Sequence, residues 1–251
     1  MISAAQLNDF VTAPSIEALW DMHCRQMNDY GFDRLIYGFT RYMTSTSFGD
    51  PDDFVLLSNL DEAYLDRFVG DGLYTHAPMV RWATENEGAQ SWSVLERRLR
   101  DGSLSPVERQ VVEFNRSMGV VAGYSISFRP VSPRAKGAIA LIARPGMSQP
   151  EADAVWAEHG EEILLLNNLA HLRILTLPYT NPGRSLTERQ REVLGWVGDG
   201  KTTQDIATIL KVTPATVEKH LRLAREALGV ETTAQAVLKA AFQNQIYVIE
   251  R

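Results

Sequence analysis

The chain contains 251 residues, of which 45% are hydrophobic, 22% charged and 9% aromatic, a composition typical of a globular protein with a buried core. This composition excludes a disordered or low-complexity chain. The single cysteine, Cys24, excludes an internal disulfide, and no two of the five histidines stand at the spacing of metal ligands. We therefore expect a cytoplasmic protein of one large or two unequal domains, without a bound metal ion.

Neither a secretory signal nor a membrane span is expected. The first residues lack a basic stretch followed by an apolar run. The most apolar stretches, residues 120–128 and 137–143, are far shorter than the roughly 20 residues that a membrane-spanning helix needs. The sequence thus predicts no membrane partner.

Charge is distributed unevenly along the chain. From Arg184 to the C-terminus there are 10 basic and 8 acidic residues, a net charge of +2, whereas the preceding part has 15 basic and 23 acidic residues, a net charge of −8. The formal net charge of −6 conceals this asymmetry. It indicates that the C-terminal part differs in kind from the rest.

A linker is predicted between these two parts. Residues 178–185 contain Pro178, Pro182 and Gly183 among small polar residues, and they separate two helical patterns. We therefore predict one domain over residues 1–177 and a second over residues 186–251.

In the first domain, apolar periodicity and capping residues predict both helices and strands. An amphipathic helix is expected over residues 15–30, and short helices over residues 61–69, 78–86, 93–100 and 105–118. Strands are expected over residues 35–43, 54–57, 120–128 and 137–143, with a basic turn at Arg134-Ala135-Lys136 before the last strand. Hairpin-like connections predict an antiparallel sheet covered by helices on both faces, an α/β/α sandwich.

A long helix closes the first domain in this interpretation. Residues 149–176 carry apolar side chains at helical spacing throughout, which is long for a single helix of a globular domain. We expect it to pack on its own domain and on a second copy of the chain.

The C-terminal part predicts four helices, which makes the whole chain an α+β protein. The first begins at Thr187 or Ser185 and ends at Asp199-Gly200, and the second covers residues 203–210. After a turn at Lys211-Val212, Thr213-Pro214 begins a third helix that Gly229 ends. Residues 233–244 form the fourth.

The second and third of these helices have the spacing of a helix-turn-helix motif. In the third helix, Val217, Leu221, Ala224 and Leu228 form a buried stripe. The opposite face exposes the polar residues Thr216, Lys219, Arg222 and Arg225. Periodicity alone leaves a structural helical bundle with a charged, solvated face as an equal alternative.

Residue identities favour the helix-turn-helix motif over the structural bundle. The segment LTERQREVLGWVGDGKTTQDIATILKVTPATVEKHLRLAREALGV resembles the DNA-binding domain of LuxR-type transcription regulators over roughly the last 65 residues. It departs from the family pattern at Gln190, at Ala227 and at Thr232-Thr233, and the last two changes weaken expected phosphate contacts. The resemblance implies that double-stranded DNA contacts Lys201, Thr213, Thr216, Glu218, Lys219, His220, Arg222 and Arg225.

The N-terminal domain distinguishes between two families that share this tail. A receiver domain would need alternating parallel strands and helices with an early acidic pair, and only Asp9 is present. The length of the N-terminal domain, its order of elements and its closing long helix are instead similar to those of a LuxR-type autoinducer-binding domain. The resemblance therefore implies a ligand-binding and dimerisation domain over residues 1–177.

The ligand motif of that family is only partly kept. Tyr64 stands where the family has Trp, Phe68 where it has Tyr, and Ala77 where it has the Asp that accepts the ligand amide proton. Pro78, Trp92 and Gly123 match the family. Losing a charge-assisted hydrogen bond costs about 1.5 to 3 kcal/mol, so an acyl-homoserine lactone in the usual pose would bind roughly ten- to hundredfold more weakly.

Strand alternation and the resemblance together define a candidate ligand pocket. It is expected to be apolar, with polar groups at Tyr64, Ser125, Thr40 and the Trp92 indole. An aspartate restored at position 77 would be a buried carboxylate without a donor and would lower stability. The proposed ligand-contacting residues are Ile36, Gly38, Thr40, Leu60, Tyr64, Phe68, Ala77, Met79, Trp92, Ser125 and Ala140.

No catalytic motif is found, and no cofactor is expected. His76 and Cys24 lack a supporting third group, and Gly200-Lys201-Thr202 lacks the upstream glycine of a phosphate loop. We expect an unpaired, ligand-responsive regulator that binds a near-palindromic operator as a homodimer. Two alternatives stay open: a lactone receptor with a changed ligand pose, and an antagonist that heterodimerises with another regulator. Lys219, Arg222 and Arg225 argue against the antagonist.

Overall fold

A computed structural model describes residues 2–45, 47–179 and 185–246 of the chain. The chain divides into two compact units, residues 1–175 and 176–251. Of the predicted linker, residues 180–184 lie outside the described part.

The N-terminal unit alternates helices and strands before one long closing helix. In chain order its elements are α1 Ala4–Thr12, α2 Ile16–Asp29, β1 Phe32–Thr40, β2 Val55–Ser58, α3 Glu62–Leu65, α4 Pro78–Glu85, β3 Gly88–Ser91, α5 Ser93–Arg100, α6 Pro106–Ser117, β4 Gly123–Ser127, β5 Lys136–Ala143 and α7 Gln149–Ile174.

Several boundaries differ from the sequence prediction. The helix expected over residues 61–69 is the single turn α3 followed by a π-helical turn over Asp66–Gly70. The strand expected over residues 120–128 is shortened to β4, because its pairing with β3 and β5 covers only Gly123–Ser127. Lys136 belongs to β5 and not to the basic turn. Both α1 and β3 were missed.

The five strands form one antiparallel sheet in the order β2-β1-β5-β4-β3, which confirms the predicted fold class. Gly38 of β1 lies opposite Ala138 of β5, and Ser125 of β4 lies opposite Ala140. Gly123 begins β4 with a φ of 155°, and a Cβ atom there would collide with the Leu141 carbonyl oxygen. Close pairing of β4 with β5 therefore requires this glycine.

One face of the sheet packs tightly against α7. The His171 ring stacks on Phe128 with 4.1 Å between ring centroids, and its Nδ1 lies 2.9 Å from the Tyr37 hydroxyl. Tyr124 stacks on Trp156 at 4.0 Å. Burial lowers the pKa of His171 to about 4, with the Arg41 charge adding to the effect. This imidazole is therefore neutral at physiological pH.

The C-terminal unit consists of α8 Glu188–Gly198, α9 Thr203–Leu210, α10 Pro214–Leu228 and α11 Thr233–Phe242. Thr187, Thr202, Thr213 and Thr232 each cap one of these helices by accepting a hydrogen bond from a backbone N–H. Gly229 ends α10 in the left-handed conformation. The four helices share a small core that includes Val193, Leu194, Ile206, Val217, Leu221, Ala224, Leu228, Ala236 and Ala240.

Within the described ranges, no helix is long and apolar enough to span a membrane. The same residues contain no group of three or more His, Cys, Asp or Glu side chains that could hold a metal ion.

Candidate ligand cavity and nucleic-acid interface

The second face of the sheet borders a cavity of about 200 Å³. Strand β1 contributes Ile36, Gly38 and Thr40 to the cavity wall, and β5 contributes Ala138 and Ala140. A Cβ atom added to Gly38 would meet no other atom within 4 Å, so the glycine faces open space. Small side chains on this face of the strands therefore leave room for a ligand.

Helices α3–α6 and the segments between them close the other side of the cavity. Tyr64 stacks between Phe68 and Phe114, with ring centroids 5.2 and 5.4 Å apart. Ala77, Met79 and other side chains of these segments complete the lining, most of them apolar.

Of the eleven residues that we predicted to contact a ligand, ten line this cavity: Ile36, Gly38, Thr40, Tyr64, Phe68, Ala77, Met79, Trp92, Ser125 and Ala140. Leu60 does not. It lies in the turn between β2 and α3, where its half-buried side chain packs against the buried cluster that includes Tyr64, Phe68 and Trp92.

The predicted polar groups of the cavity are bonded to other protein groups. Tyr64 donates its hydroxyl proton to Asn115 Oδ1 at 3.0 Å, and Trp92 Nε1 donates to Ser125 Oγ at 2.9 Å. Thr40 Oγ1 donates to the Phe48 carbonyl oxygen at 2.8 Å. Ser125 makes no second side-chain hydrogen bond to the described residues, so its hydroxyl proton is available to a ligand.

Ala77 is buried at the N-cap position of α4, followed by Pro78 at the first helical position. It makes no side-chain cap hydrogen bond. The position that holds an acidic residue in the resemblance is therefore a helix N-terminus, where backbone N–H groups favour negative charge.

Sequence reasoning missed several lining residues, including Asn115, Lys136, Ala138 and Ile142. Alternation along β5 would have found three of them, because residues 136, 138 and 142 share a face with Ala140. Asn115 had no comparable signal, since an amide near the end of an amphipathic helix is ordinarily solvated.

Six of the eight predicted DNA-binding residues lie in α10 and Thr213 lies at its N-cap, after the turn that follows α9, whereas Lys201 lies between α8 and α9. Lys211 forms that turn in the left-handed conformation, with a φ of 55°. Buried Val217 and Leu221 orient α10, so the side chains of positions 218, 219 and 222 point to solvent. Lys201, Thr213, Glu218, Lys219 and Arg222 are exposed, whereas Thr216, His220 and Arg225 are half-buried.

Three of these side chains have partners within the unit. Glu218 accepts a hydrogen bond from Thr203 Oγ1 at 2.9 Å, and Arg222 pairs with Glu226 at 2.6 Å. Arg225 donates to Thr233 Oγ1 at 2.8 Å, which connects α10 to the start of α11. An exposed ion pair contributes only about 0–1 kcal/mol, so Arg222 can exchange Glu226 for a nucleic acid at little cost.

A ligand-sized cavity in an α/β unit, followed by a helix-turn-helix unit, defines a ligand-responsive transcription regulator. Residues 15–174 match the family model of the autoinducer binding domain, and residues 184–240 match that of the bacterial regulatory proteins of the luxR family. The chain therefore belongs to the LuxR family of quorum-sensing transcription regulators.

Similar proteins agree with this assignment. The transcriptional activator SolR of Ralstonia nicotianae is 25% identical over 92% of this chain and 93% of its own length. The activator BjaR1 of Bradyrhizobium diazoefficiens is 27% identical over 65% of this chain and 64% of its own length. The structure of SdiA in complex with octanoyl-rac-glycerol is similar in fold, with a TM-score of 0.53, 18% identity and coverage of 95% and 93%. The prediction of a regulator, not an enzyme, is confirmed.

Proposed function

We propose that this chain is an unpaired LuxR-type regulator whose cavity binds an apolar small molecule other than an acyl-homoserine lactone in the usual pose. The observation that carries the proposal is the buried Ala77 at the cavity wall. No carboxylate stands there to accept a ligand amide proton.

The state of the other polar groups supports the same conclusion. Tyr64 already donates its only proton to Asn115, and Trp92 donates its only indole proton to Ser125. A lactone head group would have to displace both hydrogen bonds. An apolar chain that leaves them intact has no such cost, and octanoyl-rac-glycerol, which SdiA binds, carries a chain of this type.

A thermal-shift titration of the full chain tests this proposal. Acyl-homoserine lactones of graded chain length are compared with neutral acylglycerols of matched chain length. We expect saturable stabilisation by the acylglycerols and little by the lactones. Tight, saturable stabilisation by a lactone would overturn the proposal and favour the alternative, a lactone receptor with a changed pose that uses the Ser125 hydroxyl.

The C-terminal unit is proposed to read DNA through Glu218, Lys219 and Arg222, with Lys201 and Thr216 on phosphates. Replacing Arg222 by Ala should cost about 1 to 3 kcal/mol of binding free energy and relax the preference at one base pair. The matched control is Arg189→Ala, because Arg189 also forms an exposed ion pair on a helix of this unit, with Glu192. An unchanged motif in binding-site selection with Arg222→Ala would contradict the assignment.

We also propose that the regulator binds a near-palindromic operator as a homodimer. On α7, Leu165 and Leu172 are 50% and 58% exposed, and their spacing of seven residues places them on one face. Replacing Leu172 by Glu should produce monomers in sedimentation velocity and weaken operator binding. A wild-type protein that is monomeric both free and on DNA would exclude the homodimer. The exposed Lys219 and Arg222 favour DNA binding over an antagonist role.

A further inference from the structure

Three charged side chains line the cavity, and of these Glu96 and Arg116 are exposed whereas Lys136 is buried. Lys136 is the first residue of β5, on the same face as Ala138 and Ala140, and only 8% of it is exposed. Its side chain therefore projects along the cavity wall near one end of the sheet and not into solvent.

The Lys136 ammonium group is incompletely satisfied. Nζ donates one hydrogen bond, to the Asn86 carbonyl oxygen at 2.9 Å, and no carboxylate of the described chain lies within 4.0 Å of it. Burial lowers the pKa of Lys136, while the more distant Glu87 opposes that change. Of its three protons, one has an acceptor among the described protein groups.

A purely structural role does not account for this lysine. Asn86 follows the last residue of α4, so the ammonium group could simply cap a helix C-terminus. The Ser127 hydroxyl, however, lies 2.7 Å from the same carbonyl oxygen and 2.7 Å from that of Ala83, and its one proton is shared between the two. The Asn86 carbonyl thus has a neutral donor besides Lys136, and burying a charge for that purpose alone is unfavourable.

We propose that Lys136 is a ligand-binding residue that pairs with a carboxylate at one end of an apolar, chain-like ligand. This inference rests on the proposed function of the cavity. It narrows the ligand class from apolar molecules in general to carboxylic acids, because a compact, singly charged ammonium in a small cavity matches a monoanion.

The strand register sets the length of this ligand. Ser125 lies opposite Ala140, four residues beyond Lys136 along β5, which corresponds to about 13 Å along the strand between the two backbone positions. Gly38, Ala138 and Ala140 leave the intervening wall free of large side chains. A medium-length alkyl chain fits this path, with its carboxylate on Lys136 and its other end near the Ser125 hydroxyl.

The test compares decanoate with methyl decanoate and decanol, each titrated into the full-length protein at neutral pH. Wild-type protein should bind decanoate at least about tenfold more tightly than either neutral compound. Lys136→Met should abolish the preference, whereas Lys136→Arg should keep it.

A matched control separates ligand binding from helix capping. Lys239 of the C-terminal unit is also buried and also donates to a carbonyl at a helix end, that of Leu228 at 2.8 Å, but it lines no part of this cavity. Lys239→Met should lower thermal stability and leave the ratio of decanoate to ester affinity unchanged.

Equal affinity of the wild type for acid and ester overturns the role of Lys136 and leaves the proposed function standing. A preference that survives in Lys136→Met also overturns it. Absence of binding by all three compounds overturns the proposed apolar cavity and the role of Lys136 with it. The wild-type comparison needs no variant, so its result holds even if Lys136→Met does not fold.

Discussion

The two faces of the β-sheet differ in side-chain size although the same strands form both. On the α7 side, alternate residues are large and buried, as in Leu35, Tyr37, Tyr124, Ile126 and Leu141. On the cavity side, the residues between them include Gly38, Ser125, Ala138 and Ala140. Consecutive residues of a strand point to opposite faces, so the same strands pack a core on one face and border a cavity on the other.

The largest effect is expected from shrinking the packed face. Leu141→Ala removes a fully buried side chain and should lower the free energy of unfolding by about 2 to 5 kcal/mol. The neighbouring change Ala140→Leu adds volume where a cavity already exists and should alter stability by less than about 1.5 kcal/mol. Urea unfolding of both variants checks the pair. Similar losses would mean that the two faces do not differ in packing.

Acid should weaken the packed face more than the cavity face. His171 has a folded-state pKa of about 4 against 6.5 in the unfolded chain, so its contribution is present above pH 6.5 and is lost as pH falls through 4. The full loss amounts to about 3 kcal/mol. His23 lies on the same side of the sheet, and burial lowers its pKa to about 4 as well. Its protonation therefore adds to the loss of stability in acid.

Unfolding midpoints between pH 7 and 4 measure this effect. The pH dependence should be smaller in His171→Gln and smaller again when His23→Gln is added. An unchanged dependence in the double variant would assign the acid sensitivity to carboxyl groups instead.

A carboxylate introduced into the cavity should distinguish two of its walls. Ala140→Asp places a charge on the β5 wall of the cavity, at a position that caps no helix, and should cost about 2 kcal/mol or more. Ala77→Asp places it at the N-cap of α4, where backbone N–H groups can donate hydrogen bonds to the carboxylate, so stability should change by less than about 1 kcal/mol. Thermal unfolding of the two variants tests this, and the reverse order would contradict it.

The smallest effect on stability is expected at Gly38. Its Cβ position is open, so Gly38→Ala should stabilise the strand by about 0.4 to 1 kcal/mol through the reduced entropy of the unfolded chain. Gly38→Leu should instead fill the cavity and abolish binding of the alkyl probes. Retained affinity in Gly38→Leu would place the ligand elsewhere.

The sequence predicted best where short-range chemistry decides the structure. The Thr213-Pro214 start and the Gly229 end of α10 follow from capping, and alternation along β1 placed Ile36, Gly38 and Thr40 on one face. β3 was missed because Gly88–Ser91 contains no β-branched or aromatic residue, and pairing with β4 alone makes it a strand.

Tertiary context explains the remaining errors. Lys136 was placed in a turn because a lysine is rarely buried, and only the sheet register reveals that it faces the cavity. The sequence predicted that an aspartate at position 77 would have no hydrogen-bond donor nearby. The structure shows that this position is the N-cap of α4, where backbone N–H groups are available as donors. Both cases depend on elements distant in the chain, which local patterns do not report.

The central strand pair has a consequence for the order of folding. β1 must wait for β5, since Phe32 pairs with Ala143 and Thr40 with Lys136, whereas the helix-turn-helix unit assembles its core within residues 186–246. Closing so long a loop is slow compared with local helix packing. A nascent chain therefore has only β2 to pair with β1 until β5 has left the ribosome, and a small molecule that binds only the closed sheet increases the yield of folded regulator.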